Sequence, residues 1–194
     1  MPGSALFAAV LILAVSTGRA ETACQQPTAA RDLLAQVEIA EQSAGRDAQR
    51  FGGASEAIEA QLPCVERIVN PQLAARLHRV EGLRAFVAGD RQRAIGAFAA
   101  AQRIEPDFRF PEAVFPSAHP VPRLLEQAAG IPREVEPVAV PDSALLWFDG
   151  VVGTARPTMI PAVVQLQARD GAVLATAYAW PGEPLPVPPV VAAA

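Results

Sequence analysis

Apolar residues recur three and four positions apart through the first half of the chain, and at every second position near its end. Ala30, Leu33, Leu34, Val37 and Ala40 mark one face of a predicted helix from about Thr28 to Ala44, with Thr28 as its N-cap. Ala54, Ile58 and Leu62 mark a second, from about Ala48 to Leu62, which Pro63 stops; Cys64 stands at the break. Asn70-Pro71 opens a third, a polar cap followed by a first-turn proline. Leu73, Leu77, Val80 and Phe86 carry it to about Ala88. Gly89-Asp90 turns the chain into a fourth helix, Arg91 to about Glu105, with Ala94, Ile95, Phe98, Ala101 and Ile104 inward, and Pro106 closes it.

Proline divides the chain. Four of the 19 prolines precede residue 106, and the rest make long helices untenable beyond it. The connection from Asp107 to Pro122 interleaves Phe108, Phe110 and Phe115, aromatics expected to latch onto the helices. A short helix over Pro120–Ala129 puts Leu124, Leu125 and Ala128 inward, and residues 131–142 read as an extended linker. Strands then dominate. Ser143 to Phe148 ends in Asp149-Gly150, while Ala162–Arg169 and Ala172–Ala179 flank Asp170-Gly171, a two-residue hairpin signal. Pairing Arg169 with Ala172 sets Ala168 across from Val173, Leu166 from Ala175 and Val164 from Ala177. One face is then wholly apolar, and the other carries Gln165, Gln167, Thr176 and Tyr178. These patterns predict an α+β protein. A helical domain over 21–130 precedes the linker, and a three-stranded, half-buried antiparallel β module over 143–180 follows it. A disordered Pro/Ala-rich tail over 181–194 comes last.

The first twenty residues have the form of a secretory signal peptide. The apolar run Ala5–Val15 is too short to span a bilayer, and Gly18 and Ala20 put small residues at the −3 and −1 positions of a cut after Ala20. The only positive charge ahead of the run is the amino terminus. A lipobox would need an aliphatic residue three before Cys24, where Glu21 stands. A periplasmic or secreted protein is expected, with no integral membrane span once the signal is removed. In that setting Cys24 and Cys64 read as one disulfide, worth about 3–4 kcal/mol in chain entropy; two buried free thiols are the alternative.

Charge and composition exclude more than they assign. The formal net charge is −4, and all 16 basic residues are arginine, which argues against a nucleic-acid partner. The 51% hydrophobic content is too high for a disordered chain. His78 falls in mid-helix and reads as a packed histidine; His119, before Pro120, reads as a helix start. The pairs Glu38/Glu41 and Glu56/Glu59 have the spacing of a solvated helix face, and Arg84, Arg91, Arg93 and Arg103 read as a mixed-charge surface. No phosphate loop, dinucleotide fingerprint, nucleophile elbow or zinc signature is found, so no catalytic residue, metal or cofactor is expected.

From Leu77 to Pro106 the residues Gly82, Phe86, Gly89-Asp90, Ala94-Ile95, Phe98, Ala101 and Pro106 stand at the spacing of a tetratricopeptide repeat, and this part of the chain resembles that family. Small Gly82, Ala94 and Ala101 suit a close helix crossing, and Phe98 suits the space between the helices. The chain departs from the repeat at His78, where tryptophan is usual, and at Glu81, where leucine is usual. One repeat earlier, Ala60 matches Ala94, but Cys64 replaces Phe98. The alternative is an ordinary helical hairpin. The Trp147-Phe148-Asp149-Gly150 turn with the later Asp-Gly hairpin resembles small β domains of the PEGA type. The repeat resemblance implies a non-enzymatic scaffold of the cell envelope that binds a partner protein or peptide in a groove. The alternatives are a structural subunit of an envelope or secretion-type assembly, docking through the β module, and an enzyme with an unrecognised site. A groove with exposed arginine and polar residues favours peptide binding; a dry apolar face favours obligate assembly.

Overall fold

Among the described residues, five α-helices precede a set of short antiparallel strands, an α+β arrangement. The structure, a computed structural model, describes Cys24 and residues 26–186; the expected signal segment and its cleavage position lie outside the described residues, as does the tail beyond 186. The helices are α1 (Ala30–Ser43), α2 (Ala48–Gln61), α3 (Pro71–Val87), α4 (Arg91–Ile104) and α5 (Pro120–Ala128). The strands are β1 (Val135–Pro137), β2 (Ala144–Phe148), β3 (Val151–Val152), β4 (Ala155–Pro157), β5 (Ala162–Ala168) and β6 (Val173–Ala179). Among the described residues no helix is long and apolar enough to cross a membrane.

Local chemistry explains most helix starts. Asp47 caps α2 by accepting from the Arg50 N–H, Asn70 caps α3 by accepting from Leu73, and Asp90 caps α4 by accepting from Arg93. Gly89 turns α3 into α4 with φ of +78°, a conformation that costs glycine least. Thr28 is not the cap of α1; Ala29 is. The Thr28 backbone is taken instead by a parallel bridge to Val65: its N–H donates to the Cys64 carbonyl at 2.7 Å, and its carbonyl accepts from Glu66. This bridge lies beside Cys24 and Cys64, whose Cα atoms are 5.4 Å apart, at disulfide distance.

The helical core runs from Leu33 and Val37 through Ile58, Leu73, Leu77 and Phe98 to Leu124 and Leu125. Phe110 meets Phe98, Phe108 and Phe115 edge-on with ring centroids 5.1–5.7 Å apart, so the Pro-rich connection does latch onto the helices. Arg79 is buried beneath this latch. Its guanidinium lies 4.0 Å from the Phe108 ring centre and pairs with Glu41 of α1 and Glu105 after α4.

Beyond α5 the structure is richer than the expected three strands. The main sheet has four, in the order β3-β2-β5-β6, all antiparallel where paired. Within the stretch read as a linker, β1 pairs with β4 in a second, two-stranded sheet, joined by the Glu136–Arg156 ion pair. The β5–β6 register matches the expected Val164↔Ala177 and Leu166↔Ala175, but Val173 faces Gln167 rather than Ala168. A bulge after Leu166 accounts for the slip. Asp170 accepts from the Ala172 N–H and Gln167 donates to the Gly171 carbonyl, which widens the turn. Leu146, Phe148, Val164 and Leu166 form a second core on one face of this sheet. Val138 and Val140 cover it, as does Leu185, so the start of the expected disordered tail packs.

Candidate functional site

The other face of the sheet lies against the helices. It is the polar face, and it is not half-buried as alternation alone suggests: Gln165 and Thr176 are buried. The Gln165 side chain accepts from the Val69 N–H at 2.7 Å and donates to the Arg67 carbonyl and to Thr176 Oγ1. It thereby pairs backbone groups just ahead of α3 that burial would otherwise strand. Val163 joins the helical core from the same face.

One strand further on, β6 brings Tyr178 to α3. His78 is wholly buried, with Nδ1 2.9 Å from the Tyr178 hydroxyl and Nε2 2.9 Å from Asp149 Oδ1. The carboxylate can only accept, so Nε2 carries a proton toward Asp149, and in the neutral imidazole Nδ1 then accepts from tyrosine. Asp149 sits in the β2–β3 turn with φ of +52°, next to Gly150 at +80°, the two positive values a tight hairpin demands. Its Oδ1 also accepts from the Val163 N–H at 2.7 Å. A Cβ on Gly150 would stand 2.5 Å from the Val69 carbonyl oxygen, so glycine is required there for the turn to reach the helices. Burial pushes the Tyr178 phenol well above its ordinary value, and the carboxylates of Glu81 and Asp149 add to it. Burial likewise raises the Glu81 carboxyl, against the pull of Arg84. With His78 closed off from solvent, this Tyr–His–Asp row is a polar joint between the helices and the sheet.

The residues of the repeat pattern gather in the α3–α4 hairpin. Ala94, Phe98 and Ala101 are buried, and an added Cβ on Gly82 would fall 2.3 Å from Phe98 Cε1. Phe86 is half-buried and meets His119 edge-on, and Pro106 follows the Glu105 cap of α4. His119 does start a helix: its Nδ1 accepts from the Val121 N–H at the head of α5. Of the four surface arginines, Arg84 pairs with Glu59 and Glu81, Arg91 bonds Gln127, and Arg93 lies 4.9 Å from the Trp180 ring centre. Arg103 donates to the Pro132 carbonyl.

The open concavity lies on the far side of α4. A cavity of about 390 Å³ is walled by Gln102 of α4, by Phe110 and Phe115 of the latch, and by Pro122 and Leu125 of α5. Arg109, Glu112, Ser117 and Glu126 rim it. A second cavity of about 190 Å³ adjoins it, sharing Gln102, Arg109 and Ala129, and continues past Arg103 to Arg133. The sequence gives no motif for this groove, because four separate segments build it. Among the described residues no group of three His, Cys, Asp or Glu side chains is placed to hold a metal ion. No family model, curated protein or solved structure matches the chain.

Proposed function

We propose that the chain is an exported, non-enzymatic interaction scaffold of the cell envelope, and that the groove beside α4 and α5 holds a segment of a partner protein. The mixed lining of that groove carries the reading. Phe110, Phe115 and Leu125 offer an apolar floor, while Arg109, Glu112 and Glu126 offer charges at its rim. That is the lining of a surface that takes and releases a peptide, not of a dry face made for obligate assembly. The location also fits. Most of helix α3 between Leu73 and Ala85 is buried, with Arg76, Glu81 and Arg84 reaching the surface, which leaves the α4–α5 side for a partner. Export is supported by the apolar run Ala5–Val15 and by two cysteines at disulfide distance.

A second reading has its own observation. Val151 and Val152 of the short edge strand β3 are 60% and 52% exposed, and could seat a subunit of an envelope assembly on the β module. Capture from a native envelope extract separates the two. Ser117 is exposed at the rim of the larger cavity, so Ser117→Trp fills the groove without entering the core. Loss of the captured partner with Ser117→Trp, and its retention with Val151→Asp/Val152→Asp, is the expected result; the reverse pattern assigns docking to the β module.

A further inference from the structure

We propose that the smaller cavity, between α4, the turn at Pro106–Arg109 and the segment Ile131–Arg133, is a binding site for a phosphate-class oxyanion. Arg103, Arg109 and Arg133 converge on it, and no acidic side chain lines it. The contrast with the whole molecule is sharp, because the chain carries more acids than bases. None of the three arginines takes part in an ion pair among the described residues, whereas Arg76, Arg79, Arg84 and Arg156 all do.

Backbone carbonyls hold two of these guanidinium groups in place. Arg103 donates to Pro132, and Arg109 donates through one nitrogen to Pro106 and Phe108. Each guanidinium has five N–H donors in a planar fork, so most remain for a ligand, and that fork matches the oxygens of phosphate two at a time. Burial, chiefly, and the neighbouring charge of Arg133 lower the Arg103 pKa from its ordinary value, against the pull of Asp149, and an anion in the cavity would relieve both. A volume of about 190 Å³ holds roughly six waters, enough for an ion of five heavy atoms with some of its hydration. Three positive charges favour a dianion over a single carboxylate.

The oxyanion can arrive as free phosphate or on a lipid headgroup. The test is calorimetric titration of the oxidised mature protein with inorganic phosphate, sulfate and acetate at matched ionic strength. Flotation with phosphatidylcholine vesicles, with and without phosphatidic acid, runs beside it. Saturable binding of phosphate and sulfate is expected. It weakens about tenfold or more in Arg133→Gln and in Arg103→Gln, the effect of one lost charge-assisted hydrogen bond, and is unchanged in Ser117→Trp. Binding only to phosphatidic acid vesicles, with the same sensitivity to the two arginine variants, supports the site and assigns the headgroup as its source. Arg133 is exposed and Arg133→Gln leaves the fold intact, so a null result in that variant is informative. Acetate binding as tightly as phosphate, variants binding like the parent, or no binding of phosphate in either form overturns the assignment.

Discussion

His78 and Asp149 meet at 2.9 Å across 71 residues of chain, and their contact joins the middle of α3 to the first turn of the sheet. With Tyr178 on the opposite ring nitrogen, both polar atoms of a fully buried imidazole are satisfied. Tyr178→Phe removes the donor to Nδ1 and leaves a buried acceptor bare, at a cost of about 1–3 kcal/mol at neutral pH. The His78→Phe/Tyr178→Phe double variant is expected to lose less than the two single losses combined. Urea unfolding of the four proteins measures this; strict additivity contradicts the joint.

The same tyrosine sets an alkaline limit. Its folded pKa lies above the unfolded value of about 10, so the fold favours the neutral phenol. The stability it contributes is complete below about pH 10 and drains away as pH rises through the folded value. Glu81 is raised in the same sense, so its ionisation opposes folding as pH climbs from the ordinary carboxylate range. Unfolding midpoints measured between about pH 9 and pH 11 should fall in the parent and fall less steeply in Tyr178→Phe. Equal slopes in both proteins place the alkaline sensitivity elsewhere.

Gln165 is a single side chain serving three partners at the base of the joint. Gln165→Leu keeps the volume but strands the Val69 N–H and the Arg67 carbonyl, and about 1–3 kcal/mol of stability goes with them. Amide exchange gives the local readout: Val69 should lose protection in the variant. An unchanged Val69 would falsify the proposed role.

Packing in the α3–α4 hairpin leaves no room at Gly82. Gly82→Ala drives a methyl into the Phe98 ring and is expected to cost about 1–3 kcal/mol, although alanine is the better helix former. Phe98→Ala empties a fully buried site at about 3–5 kcal/mol. Arg91→Ala loses one exposed bond to Gln127 and stays within about 0.5 kcal/mol of the parent. Melting temperatures rank the three, and equal shifts for Phe98→Ala and Arg91→Ala contradict the packing.

Cys24 and Cys64 should resist thiol reagents in the oxidised native protein. Reduction is expected to lower stability by about 2–4 kcal/mol, chiefly by freeing the unfolded chain. Mass spectrometry after alkylation without reductant checks the pairing: two modified thiols refute it.

Helix limits were legible in the chain because their signals are local. Asn70-Pro71, Gly89-Asp90 and His119-Pro120 cap or turn within a few residues of themselves. Thr28 misled for the opposite reason, since its backbone answers to Val65 across a loop. Alternation in β5 and β6 separates an apolar face from a polar one, but it does not say which is covered. Here both are, because Gln165 finds partners just ahead of α3 and Tyr178 finds one on it, the farthest 100 residues away. His78 could be read as buried, yet nothing near it in sequence announces Asp149 or Tyr178. The groove is hidden still more deeply, since no one segment carries its lining.

A folding order follows from the way Gln165 closes over Val69. The helical half is synthesised first, yet His78 Nε2 stays unpartnered until the β2–β3 turn emerges, and the Val69 N–H and His78 Nδ1 until the last two strands do. Contacts of such long sequence separation form late and slowly. A nascent chain therefore carries α3 incompletely clothed, and a stop codon anywhere before Ala162 leaves that state permanent. Such a truncated product is a substrate for proteases and chaperones rather than a smaller working protein.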